Sequence, residues 1–475
     1  MKTALFSESE FEQMAAEVRK LLSEVGYAVD HPEMKAMALR GGCRESAVGR
    51  VLFEERQIDA LRAELQRQYP PPRPDAPEPS LVHPRYEAAF GFGNLTPKVF
   101  NYARNRPEGG TTEAFLDLIK FAHAEPRVRS ITLPLSRLDT PEALEQIEAV
   151  WLMASTTDKP LGAVDATLPE SVPYLAEMGQ ALGCAPAAFV GCCNCINPPL
   201  RLEMRTAETM LQRRRYHSRS LITSMPSIGG SGPVDLYGGI ILATAEIVGG
   251  LILSMIMDPE APLTGYIACI QVDMRTGNAT SSTPQTVRLD AGVFQLMARF
   301  FGGGTSIGGR SYVSARRPGL QASYERFLKA VGYAALADRH VVSLAANGNL
   351  ENGSMVSPEQ FLLDMEMAEG LQWAHTAPNV PPAGDAVARI REAVLNGGGN
   401  FLSTEHTLEH YRDEMWPAAC FPCIPETRSE KEILDWCHEQ YSRRLAEYRP
   451  ASWPRKTVVE LEAILSRARR NLVKG

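Results

Sequence analysis

Short apolar runs alternate with helical segments along most of this chain. Eight strand-and-helix units follow one another over about 275 residues, beginning near residue 98. The runs read KVFNYARN (98–105), VRSITLPLS (128–136), PLGAVDAT (160–167), AAFVGCCNCINP (187–198), SLITSMPSI (220–228), LTGYIACIQVDM (263–274), GTSIGGRSYVSA (304–315) and HVVSLAANGN (340–349). This alternation predicts an α/β fold with a parallel sheet, and eight units predict a TIM (β/α)8 barrel. An open, doubly wound sheet is the alternative.

The two ends of the chain have a different pattern. Residues 7–70 carry apolar side chains at helical spacing and begin with a capping serine. The stretch YPPPRPDAPEPS, Tyr69–Ser80, is rich in proline and predicts a boundary. The last part of the chain is helical again, with PETRSEKEILDWCHEQYSRRLAEY as its clearest helix. We expect an N-terminal helical segment with a linker (1–80), a catalytic barrel (81–380) and a C-terminal helical extension packing on the barrel (381–475).

A glycine-rich turn precedes a long helix of small residues in Ser224–Leu253, SMPSIGGSGPVDLYGGIILATAEIVGGLIL. A dinucleotide fingerprint needs G-x-G-x-x-G at such a turn, and a P-loop needs G-x-x-x-x-G-K-[ST]. The turn after Gly229 has no third glycine in place and no lysine. We therefore interpret the stretch as the fifth strand, loop and helix of the barrel, with Pro233 opening the helix.

Charge and hydropathy argue against two classes of protein. The formal net charge of -7 disfavours a nucleic-acid binder, which would carry a basic face. Glu246 and four glycines interrupt the most apolar segment, Leu236–Met257, which favours a buried helix over a membrane span. The N-terminus turns acidic at once and has no signal-peptide core. We expect a cytoplasmic protein that binds neither nucleic acid nor a membrane.

The nine cysteines form two clusters of interest. Their odd number and the expected cytoplasmic location disfavour disulfides. Alternation along the predicted strand GCCNC sends Cys193 and Cys195 to one face and Cys192 to the other. CFPC, Cys420 to Cys423, has C-x-x-C spacing without a second pair nearby. Small buried thiols are our main interpretation, and metal binding is the alternative at either cluster.

In a barrel the chemistry lies where the strands end and their loops begin. Those positions are polar, amide-rich and aromatic, and they contain no assembled Ser–His–Asp set. They are Asn101, Tyr102, Ser136, Asp165, Asn194, Asn197, Ser224, Ser227, Gln271, Asp273, Arg275, Arg310, Tyr312, Asn347, Asn349 and Glu351. His340 begins the eighth predicted strand at the opposite end, so we expect it to have a packing role.

Several short motifs occur in a fixed order over most of the chain. They are FGFGN (90–94), NPPLRL (197–202), the glycine-rich stretch, DMRTG (273–277), AGVFQLMARFFG (291–302), SPEQFLLDMEM (357–367) and FLSTEHTLEHYRDEMW (401–416). In this order they resemble the trimethylamine methyltransferase (MttB) superfamily. The resemblance implies a TIM-barrel methyltransferase that passes a methyl group to the cobalt of a separate corrinoid (cobalamin) protein. The founding enzymes carry pyrrolysine, whereas this chain holds only standard residues, so it is similar to the branch that demethylates quaternary amines such as glycine betaine.

The chemistry of a quaternary amine suits such a site. Loss of one N-methyl group releases a neutral tertiary amine, so the protein must position and desolvate a cation rather than move a proton. Aromatic rings and carboxylates favour that cation. We expect catalytic roles for Asp273, Arg275 and Glu351; substrate contacts from Phe90, Phe92, Tyr102, Asp165, Tyr266, Arg310 and Tyr312, with Trp373 as a further candidate; and corrinoid-facing positions at Ser227, Gly229, Gly230 and Gly232. Asp273 and Arg275 have a structural alternative, which is a pair across the sixth loop.

We expect no tightly bound cofactor and no metal, because the corrinoid would arrive on its own carrier protein. The partners would be that carrier and the small amine, with homo-oligomers. Two other functions remain open: a zinc-dependent thiol or alcohol methyltransferase using the GCCNC thiolates, and a non-catalytic binder of quaternary amines. His406 and His410 are spaced i, i+4 but lack H-E-x-x-H, and we expect their segment to pack over or beside the barrel mouth.

Overall fold

The structure is a computed structural model and describes residues 4–70, 89–337, 344–378, 382–421 and 427–473. The helices in these ranges are α1 (Glu8–Glu24), α2 (Pro32–Arg40), α3 (Glu55–Gln68), α4 (Thr112–Ala124), α5 (Glu145–Thr156), α6 (Val172–Ala181), α7 (Pro186–Phe189), α8 (Met204–Arg213), α9 (Leu236–Met257), α10 (Pro284–Phe300), α11 (Leu320–Leu336), α12 (Pro358–Ala374), α13 (Asp385–Leu395), α14 (Glu405–Glu414), α15 (Glu430–Glu447) and α16 (Arg455–Leu472).

The strands are short. They are β1 (Ala28–Val29), β2 (Arg44–Glu45), β3 (Val51–Leu52), β4 (Phe90–Phe92), β5 (Lys98–Asn101), β6 (Arg106–Gly109), β7 (Val128–Ile131), β8 (Cys192–Ile196), β9 (Arg201–Leu202), β10 (Ser220–Ser224), β11 (Ser227–Ile228), β12 (Leu263–Ile267), β13 (Ile270–Val272), β14 (Ala279–Thr280), β15 (Thr305–Ile307), β16 (Asn349–Leu350) and β17 (Met355–Val356).

Four parallel strands form the main sheet, in the order β15–β12–β10–β8. Their register places Cys195, Thr223, Tyr266 and Ser306 in one row across the sheet. Paired residues of neighbouring strands point to the same face, and the next residue along each strand points to the other. One face of this sheet therefore carries that polar and aromatic row, which we call the inner face, and the other packs on helices.

A second group of parallel contacts precedes the main sheet in the chain. Strand β4 pairs with β7, and Ile131 of β7 forms a parallel bridge to Leu161. Beyond it, the N–H of Val164 donates to the carbonyl of Phe189, just before β8, at 2.7 Å. The described strands thus confirm an α/β fold. These parallel pairings form two groups, and the groups do not close into a barrel. The eighth predicted run and His340 fall partly or wholly on 338–343, outside the described residues.

The first predicted strand forms, but in a different sheet. Strand β5 pairs parallel with β17 and antiparallel with β6, across a turn in which Asn105 has a φ of 50°. The strand that pairs with β7 is β4, eight residues earlier. Its sequence, Phe-Gly-Phe, is too short and too rich in glycine to give a clear apolar run. The apolar pattern therefore predicted the strand at Lys98–Asn101 instead.

Helix α9 lies at the centre of the larger core. A Cβ added at Gly250 would lie 2.6 Å from Ile222 of β10, and one added at Gly249 would lie 2.4 Å from the ring of Tyr27. These glycines let the helix approach both the outer face of the sheet and the N-terminal segment. By length and composition α9 could cross a membrane, but 89% of its most apolar window is buried inside the protein. The expectation of a buried helix is confirmed.

The N-terminal helices complete this core. Helix α1 begins with a capping box in which Ser7 and Glu10 satisfy each other's backbone N–H groups. Its apolar side buries Phe11 and Val18, and α1, α2 and α3 all pack against α9. The predicted helical pattern of the first seventy residues is present. Most of the proline-rich boundary lies outside the described residues.

The C-terminal helices form two groups with different packing. Helix α15 packs on α4 and α12, and α16 packs on α5 and α6. In α13 and α14, by contrast, only Ala393 is buried. Helix α14 and its histidines are exposed, whereas Trp416, just after it, lies against Gly370 of α12. Packing over or beside the barrel mouth stays a prediction.

Candidate active site

The inner face of the main sheet is polar and open to solvent. Along β8 the burial alternates: Cys193 is half-buried and Cys195 is exposed, while Asn194 and Ile196 are buried. The predicted alternation of the two thiols is thus confirmed. Strand β8 is at the edge of the described sheet, and its two thiols line a pocket of about 170 Å³ together with Asp165. This pocket is the recess.

Asp165, Tyr266 and Tyr312 lie near these thiols, and Arg310 lies near Tyr266. Tyr266 projects from β12, Arg310 and Tyr312 lie in the loop after β15, and Asp165 follows the bridge at Leu161. Asp165 lies within electrostatic range of both thiols and of Tyr312, and Arg310 lies within that range of Tyr266. We call these six residues the inner-face cluster: Asp165, Cys193, Cys195, Tyr266, Arg310 and Tyr312.

The thiols and phenols of the inner-face cluster are neutral at physiological pH. The protein atoms around each sulfur, and after them the Asp165 carboxylate, disfavour the charged thiolate. They raise the pKa of Cys195, although its side chain still reaches solvent, to about 11 and contribute to the rise of Cys193 to about 12. Burial also raises the pKa of Tyr266 and of Tyr312 above the usual tyrosine value. Because thiolates are the nucleophilic and metal-binding form of cysteine, these two thiols are poor nucleophiles. Asp165 and Arg310 supply the charges of the cluster.

Glycines fix the two tyrosine rings. A Cβ at Gly308 would lie 1.7 Å from the ring of Tyr266, and a Cβ at Gly353 would lie 2.4 Å from the ring of Tyr312. Each ring therefore lies directly on backbone that only glycine can provide. Gly353 also has a φ of 87°, which favours glycine independently. The backbone at these two glycines therefore restricts the positions of both rings.

Helix α11 holds the loop that carries Arg310 and Tyr312. The ammonium of Lys329 donates to the carbonyls of Gly309, at 2.6 Å, and of Tyr312. The carboxylate of Glu325 accepts from the N–H groups of Ser314 and Ala315. Both side chains are buried and approach the loop from behind. They satisfy its backbone groups and fix the direction of its side chains.

A buried ion pair extends this support. Arg326 pairs with Asp364 of α12 at 2.7 Å and donates to the carbonyl of Asn349 at 2.6 Å. Burial lowers the pKa of Lys329 to about 7, while the carboxylate of Asp290 opposes that change. Asp290 in turn accepts from the Tyr333 hydroxyl at 2.7 Å. The charges on the inner side of α11 thus fix the loop rather than contact the recess.

Asp273 and Arg275, predicted to be catalytic, lie elsewhere. They lie at the turn between β13 and β14, where Asp273 accepts two hydrogen bonds from the Arg275 side chain, at 3.1 and 2.9 Å. The pair lowers the pKa of Asp273 to about 2, and the Arg275 side chain is 88% exposed. The structure therefore supports the structural alternative, in which the pair closes its own hairpin.

A match to a protein-family model covers nearly the whole chain. The model described as "Trimethylamine methyltransferase (MTTB)" matches residues 1–472. This chain belongs to the trimethylamine methyltransferase family. It is 26% identical over 278 residues to trimethylamine methyltransferase MttB of Desulfitobacterium hafniense (strain DSM 10664 / DCB-2), covering 58% of this chain and 54% of that protein. It is 24% identical over 274 residues to glycine betaine methyltransferase of D. hafniense (strain Y51), covering 56% and 55%.

The chain spans about half the length of the curated relatives it matches. Among solved structures, monomethylamine methyltransferase (MtmB) of Methanosarcina barkeri aligns with 97% of this chain and 95% of its own. The TM-score is 0.44 and the sequence identity 12%, which does not decide the fold. The family assignment thus rests on the sequence match.

Several side chains expected to contact substrate have other roles in this methyltransferase-family chain. Phe92 is a correction: it is buried, with its ring 4.8 Å from that of Phe361, so it belongs to the core. Phe90 is partly buried against the same core. The hydroxyl of Tyr102 donates to Asp435 of α15 at 2.7 Å, which ties the β5–β6 hairpin to that helix.

Glu351 and Trp373 also lie outside the inner-face cluster. The carboxylate of Glu351 pairs with Lys98 at 3.0 Å and with Arg316 at 3.5 Å. Burial is the largest single effect and raises the pKa of Glu351. The two cations oppose it, and the pKa is lowered overall. Trp373 is in the last turn of α12. Their predicted roles remain predictions, and Glu351 already has two partners.

The glycine-rich loop has little free hydrogen-bonding capacity. The N–H groups of Gly230 and Gly232 donate to the carbonyl of Ser227, and that of Gly229 donates to the carbonyl of Gly232. Gly229 has a φ of 79°, and a Cβ there would lie 3.3 Å from the Met274 sulfur. The loop is a closed turn beside the β13–β14 hairpin. It offers a small, flat surface rather than a set of amides for a phosphate, as its spacing predicted.

The metal alternative finds little support in the described ranges. No group of three or more His, Cys, Asp or Glu there is arranged to hold a metal ion. Cys420 is buried beside Cys437, which raises the pKa of Cys420 strongly. Cys423 and the side chain of Cys192 lie outside the described part of the structure. The rings of His406 and His410 lie 4.5 Å apart on α14, with no third ligand among the described residues.

Sequence reasoning missed two parts of the site. Cys193 and Cys195 were considered as metal ligands or core thiols, yet they line the recess. The supporting charges of α11, Glu325, Arg326 and Lys329, were not singled out. Their spacing is consistent with one helix face, but the sequence does not show that this face points inward.

Proposed function

We propose that this chain transfers a methyl group from a small quaternary amine to the Co(I) corrinoid of a partner protein. The observation that carries the proposal is the inner-face cluster. In it Asp165 lines the pocket of the two thiols and lies within electrostatic range of Tyr312, and Arg310 lies within that range of Tyr266. Family membership supports methyl transfer, and one relative is named glycine betaine methyltransferase.

In this proposal Tyr266 and Tyr312 hold the trimethylammonium group against their ring faces. Each ring would contribute about 0.5–2 kcal/mol. Asp165 supplies the counter-charge, and Arg310 binds the carboxylate of a zwitterion such as glycine betaine. The neutral thiols complete the wall without competing as nucleophiles.

The chain's own residues need not transfer a proton. The carbon–nitrogen bond breaks with its electron pair going to nitrogen, and the leaving tertiary amine is neutral. The corrinoid would supply the nucleophile that accepts the methyl group. The work of the protein is orientation and the exclusion of water.

We also propose that the two groups of parallel strands close into a (β/α)8 barrel around the recess. The contacts from β4 through β7, Leu161 and β8 to β15 support this, because the parallel strands follow one another in space in the order in which they occur in the chain. The helical segment (1–80) and extension (381–475) would flank a catalytic body (81–380) in the cytoplasm.

The test is a panel of quaternary and tertiary amines offered with a Co(I) corrinoid acceptor, followed by the acceptor's absorbance. We expect methyl transfer from glycine betaine or a related quaternary amine, without added metal. Transfer from trimethylamine alone, or from methanol or a thioether alone, would contradict the proposal, as would stoichiometric zinc whose removal abolishes activity.

A further inference from the structure

The recess beside the two thiols has two walls that come from different parts of the chain. On one side, Gln146 of α5 is buried and donates to the carbonyl of Asp165 at 2.7 Å, which fixes the backbone there. The other side is helix α8, whose residues Arg205, Thr209 and Arg213 line the recess. Because these three residues are four positions apart, they share one face of the helix.

The two arginines on this face of α8 have different surroundings. Arg213 is buried, and its guanidinium donates to the side-chain oxygen of Asn194 and to the carbonyl of Thr209, the latter at 3.3 Å. Arg205 is exposed, and its guanidinium makes no hydrogen bond or ion pair with the described residues. Arg213 therefore holds α8 against β8, while Arg205 keeps its hydrogen-bond donors for a ligand.

One carboxylate of the same helix lies near Arg205. Glu203 is within electrostatic range of it, but its carboxylate caps α8 and accepts from the N–H and the hydroxyl of Thr206, at 3.0 and 2.8 Å. The recess thus has the carboxylate of Asp165 on one wall and a guanidinium with free donors, that of Arg205, on the other.

The size of the recess brings both walls within reach of one small molecule. Its volume is about 170 Å³, whereas pockets for drug-sized ligands have roughly 300–1,000 Å³. A quaternary ammonium group is attracted by a carboxylate, and a carboxylate on the same molecule accepts paired hydrogen bonds from a guanidinium. A small zwitterion therefore matches the two walls.

We propose that Arg205 binds the anionic end of the substrate from the α8 side and so makes the recess selective for zwitterionic quaternary amines over purely cationic ones. Arg310 lies within electrostatic range of Tyr266, so two guanidiniums from different segments would share that end. The inference rests on the proposed function, because its ligand is a quaternary amine. Arg205 begins a helix rather than ending a strand, so the positions of the strand ends do not identify it.

Calorimetric titration of the full chain with two probes tests the proposal. Glycine betaine and choline share a trimethylammonium group, but the first ends in a carboxylate and the second in a neutral hydroxyl. The unsubstituted chain should bind glycine betaine more tightly. Arg205→Met should weaken that binding by about 10-fold or more, because a charge-assisted hydrogen-bonded pair is lost. It should change the affinity for choline by less than about twofold, because an exposed charge acts weakly through solvent.

Two further variants separate the contact from the charge. Arg205→Lys keeps the charge without the planar guanidinium and should retain part of the preference for glycine betaine. Arg215→Met is the matched control, since it removes the same charge from an exposed arginine just beyond α8 and should leave both affinities unchanged.

Three results would overturn the inference and leave the proposed function standing. They are equal binding of the two probes by the unsubstituted chain, an unchanged affinity of Arg205→Met for glycine betaine, and equal losses for both probes in that variant. An unsubstituted chain that binds neither amine would contradict the proposed function itself, and this inference with it.

Discussion

The inner-face cluster and the β13–β14 hairpin both carry acidic and basic side chains, but they differ in how those charges are satisfied. In the hairpin, Asp273 and Arg275 neutralise each other across one turn at the surface. In the recess, Asp165 and Arg310 project from different segments of the chain, and two neutral tyrosines lie with them. A charge pair that closes its own turn has little left to offer a ligand. In our proposal Asp165 and Arg310, which come from different segments, bind the two ends of a zwitterion.

The largest effect should come from the carboxylates. Asp165→Asn should lower kcat/KM for a quaternary amine by about 100-fold, because a recessed cation loses its counter-charge. Asp273→Asn is the matched control and should change kcat/KM by less than about twofold, as expected for an exposed pair. Steady-state methyl transfer with a corrinoid acceptor measures both. An equal loss of kcat/KM in both variants would contradict the proposed difference between the recess and the hairpin.

The aromatic walls should give the next largest effect. Tyr266→Leu and Tyr312→Leu should each raise KM by about 3- to 30-fold, which corresponds to one cation–π contact. Tyr102→Leu is the control, since its hydroxyl is bound to Asp435. It should leave KM unchanged and lower the thermal midpoint. A higher KM in Tyr102→Leu with an unchanged KM in Tyr266→Leu would instead indicate that the cation binds beside the β5–β6 hairpin.

These contrasts also show how far the sequence reaches. The alternation of strands and helices follows from apolar periodicity, so helices such as α10, α11 and α12 are predictable, as is the shared face of Cys193 and Cys195. The register that aligns Cys195 with Tyr266 comes only from the structure. The role of Phe92 was not predictable in this way, because an aromatic after a glycine has the same local pattern in a core and in a cage. Its contact with Phe361 is 269 positions away in the chain.

The candidate site shows the same limit. Strand ends identified Asp165, Arg310 and Tyr312, because parallel strands bring their loops to one edge of a sheet. They identified Asp273 equally well, since nothing in the sequence distinguishes a self-paired turn from a ligand site. The buried charges of α11 have no local signal, because their partners lie in other segments: loop carbonyls for Lys329, loop N–H groups for Glu325 and Asp364 of α12 for Arg326.

A smaller effect should appear in the pH dependence of stability. The pKa of Lys329 is lowered to about 7 in the folded chain, whereas an unfolded lysine has a value of about 10.4. Between these values the unfolded chain binds more protons, so this group makes the free energy of unfolding rise with pH, and below about pH 7 its contribution is flat. Urea unfolding at several pH values should show this slope in the unsubstituted chain.

Lys329→Met should remove that part of the slope and loosen the Arg310–Tyr312 loop. Its kcat/KM should fall, while Arg275→Met on the self-closed hairpin should change neither activity nor pH slope appreciably. An unchanged slope in Lys329→Met would mean that this lysine keeps an ordinary pKa, and unchanged activity would mean that the loop does not need support from α11.

The central claim is that the recess recognises a cation, and a pair of ligands with one shape tests it most directly. Glycine betaine and tert-butylacetate differ in the charge of one atom, nitrogen against carbon. Calorimetric titration of the unsubstituted chain should show glycine betaine binding at least about 10-fold more tightly, as two rings and a counter-charge require. Asp165→Asn should reduce this difference in affinity between the two ligands, while Asp273→Asn should leave it unchanged. Equal binding of the two ligands, or a gap that Asp273→Asn closes and Asp165→Asn does not, would contradict the account.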